Sequence, residues 1–282
     1  MTTARDRLEL PAMDGLYRRL GVASTFSPRF LPVLAEASRA ARRGGAEFCV
    51  IHAAGETPQG AQEFRRAFAS IGRPADTPIL WSAAETPADG ILSACASGDI
   101  DLLVAGAMER EVEHRNFVGG VARELLQRAG CDLLLVPQPR EEEVPCRRVA
   151  VAVDLNEPSV GLLNRACRIA TAFGAEEMVF LGVVTPFDEA RASAIGEFEA
   201  PDEDRLMSIV DRAEGFEGEV DCQLLRSTTG FAICDFVQQS EVDLLIGAAS
   251  RGDGLRFHPT HLDWLLQVIP SNVLVLSAPL AD

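Results

Sequence analysis

The residues of this 282-residue chain that could do chemistry stand at the ends of apolar segments, and the stretch RNFVGGVARELLQRAG at 115–130 is an example. Gly119 and Gly120 lie there at the beginning of an amphipathic helical pattern. Adjacent glycines at a helix N-terminus let backbone N–H groups approach a phosphate closely. Glycines at this place can equally serve only a tight turn. The stretch therefore predicts either a phosphate-binding loop or a simple turn into a helix.

The chain contains the same series of segments twice, which indicates an internal duplication. RRLGVASTFS, from Arg18, matches RRVAVAVDLN, from Arg147. DLLVAG, from Asp101, matches DLLIGA, from Asp243. Further along, DLLLVPQP matches NVLVLSAP. Because the matched segments keep the same order in both copies, we expect each copy to fold as one unit.

Each copy alternates between strand and helix patterns. Apolar runs of strand length, such as RVAVAV at 148–153, are separated by segments whose apolar residues recur at helical spacing. Unbroken apolar strands between helices indicate a parallel sheet covered on both faces. We therefore predict an α/β fold of two doubly wound, five-stranded domains, at 17–136 and 147–282. The segment between them, 137–146, is predicted to be a linker because it combines prolines with three consecutive glutamates.

The amino-acid composition argues against two classes of binding partner, nucleic acids and membranes. The formal net charge of −16 at pH 7 argues against a nucleic acid partner, because that affinity depends on Lys and Arg. No apolar run reaches the length of a membrane span, and residues 1–16 are too polar for a signal peptide. The seven cysteines lack CxxC spacing and lie mostly in apolar segments, as buried thiols of a reducing compartment do. We expect a cytoplasmic protein without a membrane partner.

Both halves resemble the universal stress protein family, and the chain resembles the tandem, two-domain form of that family. The resemblance covers about residues 17–276 and rests on the duplicated strand pattern and its loops. Many members bind ATP through an Asp at the end of the first strand and a loop of pattern G-x2-G-x9-G-[ST] after the fourth strand. The resemblance implies a Rossmann-like fold, a role in the stress response, and an intramolecular pseudo-dimer paired through the fifth strands, DLLLVP and NVLVLS.

The first copy keeps only part of the family's loop. Gly106 and Gly119 match its first and last glycines. Glu109 replaces the second glycine, and Gly120 replaces the hydroxyl residue, while Thr25 stands at the Asp position. A carboxylate beside a polyphosphate is repulsive. We therefore predict that the first copy rejects a triphosphate.

The second copy keeps a different part of the family's nucleotide-binding pattern. Asp154 matches the family's Asp, and Thr260 supplies the hydroxyl. In the loop GAASRGDG at 247–254, one register places the first glycine on Gly247, and the other places Arg251 where it could meet a phosphate or a carboxylate. Asp154 has a second interpretation, as the cap of the following helix or turn. We predict that ATP or another adenine nucleotide, if bound, lies in this half.

Three functions agree with these patterns: a regulatory or protective binding protein with degenerate nucleotide sites, a slow ATP-hydrolysing switch, and a protein-interaction scaffold without a small ligand. We favour binding over turnover because the nucleophile elbow and the Walker A motif are both missing from the sequence. His258 and His261 could share a metal if one helix contains both, but Pro259 favours a helix that is only starting there. Further homo-oligomerisation is compatible with the sequence.

Overall fold

The computed structural model describes residues 15–107, 120–155, 158–184, 186, 190, 202–226, 231–249 and 271–277. The elements of the first half are β1 (Arg19–Ser24), α1 (Phe30–Gly44), β2 (Glu47–His52), α2 (Pro58–Ser70), β3 (Ile79–Trp81), α3 (Pro87–Ser97), β4 (Leu102–Gly106), α4 (Gly120–Arg128) and β5 (Asp132–Val136). The described elements of the second half are β6 (Arg148–Val153), α5 (Val160–Phe173), β7 (Glu177–Val184), α6 (Glu203–Val210), β8 (Glu219–Arg226), α7 (Phe231–Gln239), β9 (Leu244–Ala249) and β10 (Asn272–Ser277). The alternating strands and helices predicted from the apolar pattern are confirmed.

The ten strands that the structure describes belong to one sheet, in the order β3-β2-β1-β4-β5-β10-β9-β6-β7-β8. Within each half the strands are parallel. The halves meet where β5 and β10 pair antiparallel, with Leu134 opposite Leu274. The predicted pairing through the fifth strands is therefore confirmed. Pairing these two edges covers backbone groups that would otherwise invite aggregation.

The strand order places a crevice at the same edge of each half. The chain moves outward from β1 to β2 and β3, then crosses to β4 on the other side of β1. In the second half, β6 lies in the same way between β7 and β9. Ligands of open α/β sheets bind beyond the carboxyl ends of the strands at such a reversal. Ligand crevices are therefore expected beyond β1 and β4, and beyond β6 and β9.

Two apolar layers cover the sheet, and each layer runs through both halves. One cluster of buried side chains lies between the sheet and helices α1, α2, α5 and α6. The other lies between the sheet and helices α3, α4 and α7. Helices α1 and α5 end alike, because Gly45 and Gly174 follow them with φ of 67° and 75°. This left-handed conformation suits glycine and stops a helix.

A buried ionic cluster joins the halves at the seam. Asp132, the first residue of β5, is fully buried. Its carboxylate accepts the Tyr17 hydroxyl at 2.7 Å and forms an ion pair at 2.8 Å with Arg165 of α5. The backbone N–H of Ser277, at the end of β10, donates to it at 2.8 Å. Because Arg165 and Ser277 belong to the second half, this carboxylate ties the two halves together.

The buried ionic cluster also keeps the Tyr17 hydroxyl protonated, so that it can donate a hydrogen bond. Burial first, and then the neighbouring Asp132 carboxylate, raise the pKa of Tyr17 well above its ordinary value. The hydroxyl therefore stays protonated through the physiological range and continues to donate to the carboxylate.

Arg165→Met is expected to lower the free energy of unfolding by about 3 kcal/mol, because it leaves the buried Asp132 carboxylate without its cation. The matched control is Arg147→Met, whose guanidinium is 4.0 Å from Glu176 with both side chains mostly exposed. That control should cost less than about 0.5 kcal/mol. Urea denaturation of both variants measures the difference, and equal losses would contradict the role assigned to Asp132.

Candidate functional site

A cavity of about 350 Å³ opens in the first half beyond the carboxyl ends of β1 and β4. Ser24 and Thr25 border it at the end of β1, and Gly106 borders it at the end of β4. Phe30, at the start of α1, and Gly120, at the start of α4, complete this rim. The cavity thus lies at the reversal of strand order where a doubly wound sheet binds its ligands.

The walls of the cavity are mostly apolar. Helices α1, α3 and α4 contribute Val33, Ile91 and Leu125. Among the described residues that line it, Arg29 is the one charged side chain, and its Nη1 donates to the carbonyl oxygen of Pro137 at 3.3 Å. A polyphosphate requires several cationic or N–H partners, whereas a neutral or singly charged ligand does not. The described part of this cavity therefore suits a ring compound with little charge.

Ser24 carries an unsatisfied polar group at this cavity. The residue is 6% exposed, and its Oγ has no hydrogen-bond partner within the described part of the chain. Its carbonyl oxygen lies 3.3 Å from Nδ1 of His52. A buried hydroxyl without a partner costs about 1–3 kcal/mol. A ligand would remove this cost only if its binding uncovers Ser24 Oγ, because that atom has almost no accessible surface.

Gly106 and Gly120 are brought together at the cavity, as expected if they belong to one loop. Both residues are exposed. A Cβ added at Gly120 would meet nothing within 4 Å, so the space in front of the α4 N-terminus is open. The first N–H groups of a helix have no partner within the helix and can meet an acceptor there. Whether these two glycines bind a ligand remains a prediction.

An aromatic cluster, which the sequence patterns did not predict, supports the rim of the cavity. The His52 ring lies 5.1 Å from the ring of Phe26 and 5.3 Å from those of Phe64 and Trp81, between centroids. Phe26 also contacts Phe30 at 5.7 Å. His52 and Trp81 end strands β2 and β3, and the phenylalanines belong to α1, α2 and the loop after β1, so only the fold brings these rings together. The cluster fixes the loop after β1, on which Thr25 lies.

In the second half, one predicted residue, Asp154, lies at the corresponding edge, whereas Gly247, predicted to begin the loop after the fourth strand, lies inside that strand. Asp154 directly follows β6 and is exposed. Gly247 lies within β9, opposite Val275 of β10. The cap of α5 is Ser159, whose Oγ accepts the Leu162 N–H at 3.4 Å. Ser159, and not Asp154, is therefore the cap of this helix, while the interpretation of Asp154 as the cap of a turn stays a prediction.

Several sequence candidates lie outside the described residues: Gly119, Arg251, Thr260, Glu109, His258 and His261. Within the described ranges, no group of three or more His, Cys, Asp or Glu side chains could hold a metal ion. None of the helices described in the structure is long and apolar enough to cross a membrane.

Comparison with known proteins identifies one family. The sequence profile of the universal stress protein family matches residues 145–276. A functionally unknown protein from Pseudomonas aeruginosa PAO1 superposes with a TM-score of 0.69 at 15% identity, covering 93% of this chain and 92% of its own. A putative universal stress protein from Pseudomonas aeruginosa UCBPP-PA14 gives the same TM-score and identity, covering 93% of both chains.

A universal stress protein from Archaeoglobus fulgidus DSM 4304 superposes with a TM-score of 0.60 at 15% identity, covering 92% of this chain and 98% of its own. At this identity the superpositions show a shared fold across both halves. No protein of curated function matches the sequence.

Ser24→Ala is expected to raise the free energy of unfolding of the ligand-free protein by up to about 1 kcal/mol, because it removes a buried hydroxyl without a partner. Ser38→Ala is the matched control: Ser38 is 8% exposed, and its Oγ accepts Arg73 Nε at 2.8 Å. That control should lower stability by about 1 kcal/mol. Thermal or urea denaturation compares them, and a similar loss in both would mean that Ser24 Oγ is satisfied.

Proposed function

Residues 145–276 are a universal stress protein domain, and from this premise we propose that the whole chain is a tandem universal stress protein with domains at 17–136 and 147–282. It acts in stress-linked regulation or protection by binding a small ligand, not by turnover. The duplication of the strand pattern and the shared fold of both halves support this proposal.

The observation that carries the proposal is the cavity beyond β1 and β4. Its volume of about 350 Å³ falls within the range of small-molecule sites. The apolar walls suit a planar ring, and Ser24 Oγ offers a hydrogen bond that nothing in the described chain uses. Adenosine has this combination of ring, hydrogen-bonding edge and low charge, and the phosphate of AMP would meet the open N-terminus of α4 at Gly120.

The second half supplies a site of different selectivity. Asp154 stands at the position where many family members hold the adenine nucleotide, and it is exposed at the carboxyl end of β6. We propose that ATP binds weakly here, with Asp154 accepting hydrogen bonds from the base or the sugar. Gly247, Arg251 and Thr260 are the proposed phosphate-side residues of this site.

Binding without turnover follows from the groups around the first cavity. Its described lining includes no carboxylate and no histidine. Proton abstraction from an attacking water requires a base within hydrogen-bond reach. A neutral or monophosphate ligand would therefore be bound and released unchanged. The fraction of protein with ligand bound, and not a reaction product, would then carry the regulatory signal.

Calorimetric titration of the full chain with adenosine, AMP and ATP tests the proposal. Adenosine and AMP are expected to bind in the first cavity, and Ser24→Leu, which fills it, should abolish their binding. Asp154→Ala should leave adenosine binding unchanged and weaken ATP binding by about tenfold, because one charge-assisted hydrogen bond is worth about 1.5–3 kcal/mol.

Two outcomes would contradict this function. If none of the three ligands binds the full chain, the scaffold alternative replaces it. If the protein releases phosphate from ATP at a typical enzymatic rate of about 10 per second, it is an enzyme and not a binding module.

A further inference from the structure

The repeat gives the Tyr17–Asp132–Arg165 cluster a counterpart at the other side of the seam. Arg18 matches Arg147, so Tyr17 corresponds to Cys146. Asp132, the first residue of β5, corresponds to Asn272, the first residue of β10. The backbone confirms this relation, because Asp101 and Asp243 accept the same pairs of N–H groups: from Arg18 and Arg19, and from Arg147 and Arg148, respectively.

The residues at the counterpart position cannot form the ion pair and the backbone hydrogen bond that Asp132 makes in the cluster. Arg165 of α5 corresponds to Glu36 of α1, so the cation that faces Asp132 is replaced by a carboxylate. Ser277, whose N–H donates to Asp132, corresponds to Pro137, which has no N–H. A carboxamide at Asn272 needs no cation, and it makes no side-chain hydrogen bond within the described residues.

A cavity of about 260 Å³ lies at this second position. Cys146, Asn272 and Glu36 all line it, as does Phe173, the last residue of α5. On the original side, Gly44 is the last residue of α1, and a Cβ there would lie 3.4 Å from the Tyr17 ring. The pair Tyr17 and Gly44 is thus exchanged for Cys146 and Phe173. The exchange leaves an open volume where the original side has a phenol.

The charged groups around this cavity are mostly neutralised. Glu36 is paired with Arg39 at 3.2 Å, and Arg43 with Glu143 at 3.2 Å. Asp243 accepts two backbone N–H groups at 2.8 and 3.0 Å. Arg140 and Glu241, both exposed, carry opposite charges. Apart from the hydrogen-bonded Asp243 carboxylate, the positive and negative charges balance, so an anion is disfavoured and a neutral ligand fits best.

The protonation state of the Cys146 thiol is consistent with a site for an uncharged ligand. Burial, with a smaller contribution from Asp243, raises the pKa of its thiol to about 12. The thiol therefore stays protonated and packs as a small apolar group. Phe173, a buried aromatic residue, also lines the cavity, and the Arg43 guanidinium lies over one face of its ring at 5.6 Å from the centroid.

We propose that this seam cavity, lined by Cys146, Phe173 and Asn272, binds a small uncharged aromatic compound that carries a hydroxyl group. The ring packs against Phe173, and the hydroxyl donates to the side-chain oxygen of Asn272, as Tyr17 donates to Asp132 on the other side. The site is independent of the crevice beyond β1 and β4, and it faces the contact between α1 and α5.

Titration of the full chain with p-cresol, which is the tyrosine side chain as a free molecule, tests this site. One saturable binding event is expected by calorimetry, and toluene, which lacks the hydroxyl, should bind about fivefold more weakly. Asn272→Leu should remove the preference for p-cresol over toluene, because the leucine offers no acceptor. The double variant Cys146→Tyr with Phe173→Gly restores the filled arrangement and should abolish binding of both compounds.

Ser24→Leu is the control, since it fills the other cavity and should leave p-cresol binding unchanged. The proposal is overturned if p-cresol does not bind up to its solubility limit. It is equally overturned if Ser24→Leu abolishes the binding while the seam variants retain it. Because adenosine binding is read separately in the same Ser24→Leu protein, failure of this site and failure of the nucleotide cavity are distinguishable.

Discussion

One buried carboxylate sets the relation between the two halves of this protein. Asp132 is fully buried, and such a charge is tolerated only when it is paired and hydrogen-bonded. Arg165 approaches it with two guanidinium nitrogens, at 2.8 and 3.2 Å. Since Ser277 at the end of β10 donates to this residue at the start of β5, the bond also favours the antiparallel register of the seam. The continuous sheet and the two shared apolar layers follow from that register.

The duplication does not make the seam symmetric. One side carries the ionic cluster that holds the halves together, and the other has a cysteine and an asparagine around a cavity. A tandem chain can differ in this way because each copy has its own sequence, whereas a homodimer must place the same residues on both sides. The ionic cluster at one position stabilises the pairing of the two halves, and the equivalent position holds the proposed ligand site.

The same division appears at the carboxyl edges of the strands. The first half has Thr25 where the second half has Asp154, and it has an apolar cavity beside Ser24. The second half keeps Asp154 at the corresponding strand end. These differences were readable from the sequence as substitutions in a loop pattern. The cavity itself, with the unsatisfied Ser24 hydroxyl beside it, was not readable, because it depends on where α1, α3 and α4 place Val33, Ile91 and Leu125.

The sequence by itself determined the strands, the helices, the duplication and the parallel arrangement of each half. These features follow from the spacing of apolar residues, which depends only on residues that are close together in the sequence. Gly106 and Gly120 could be named in advance for a different reason, because they stand at positions of the loop pattern that the family resemblance implies. Only the tertiary structure decided that Tyr17 meets Asp132, 115 residues away, or that Cys146 and Asn272 border an open volume. Contacts between distant residues depend on how side-chain volumes and charges from separate elements meet, and no local pattern contains that information.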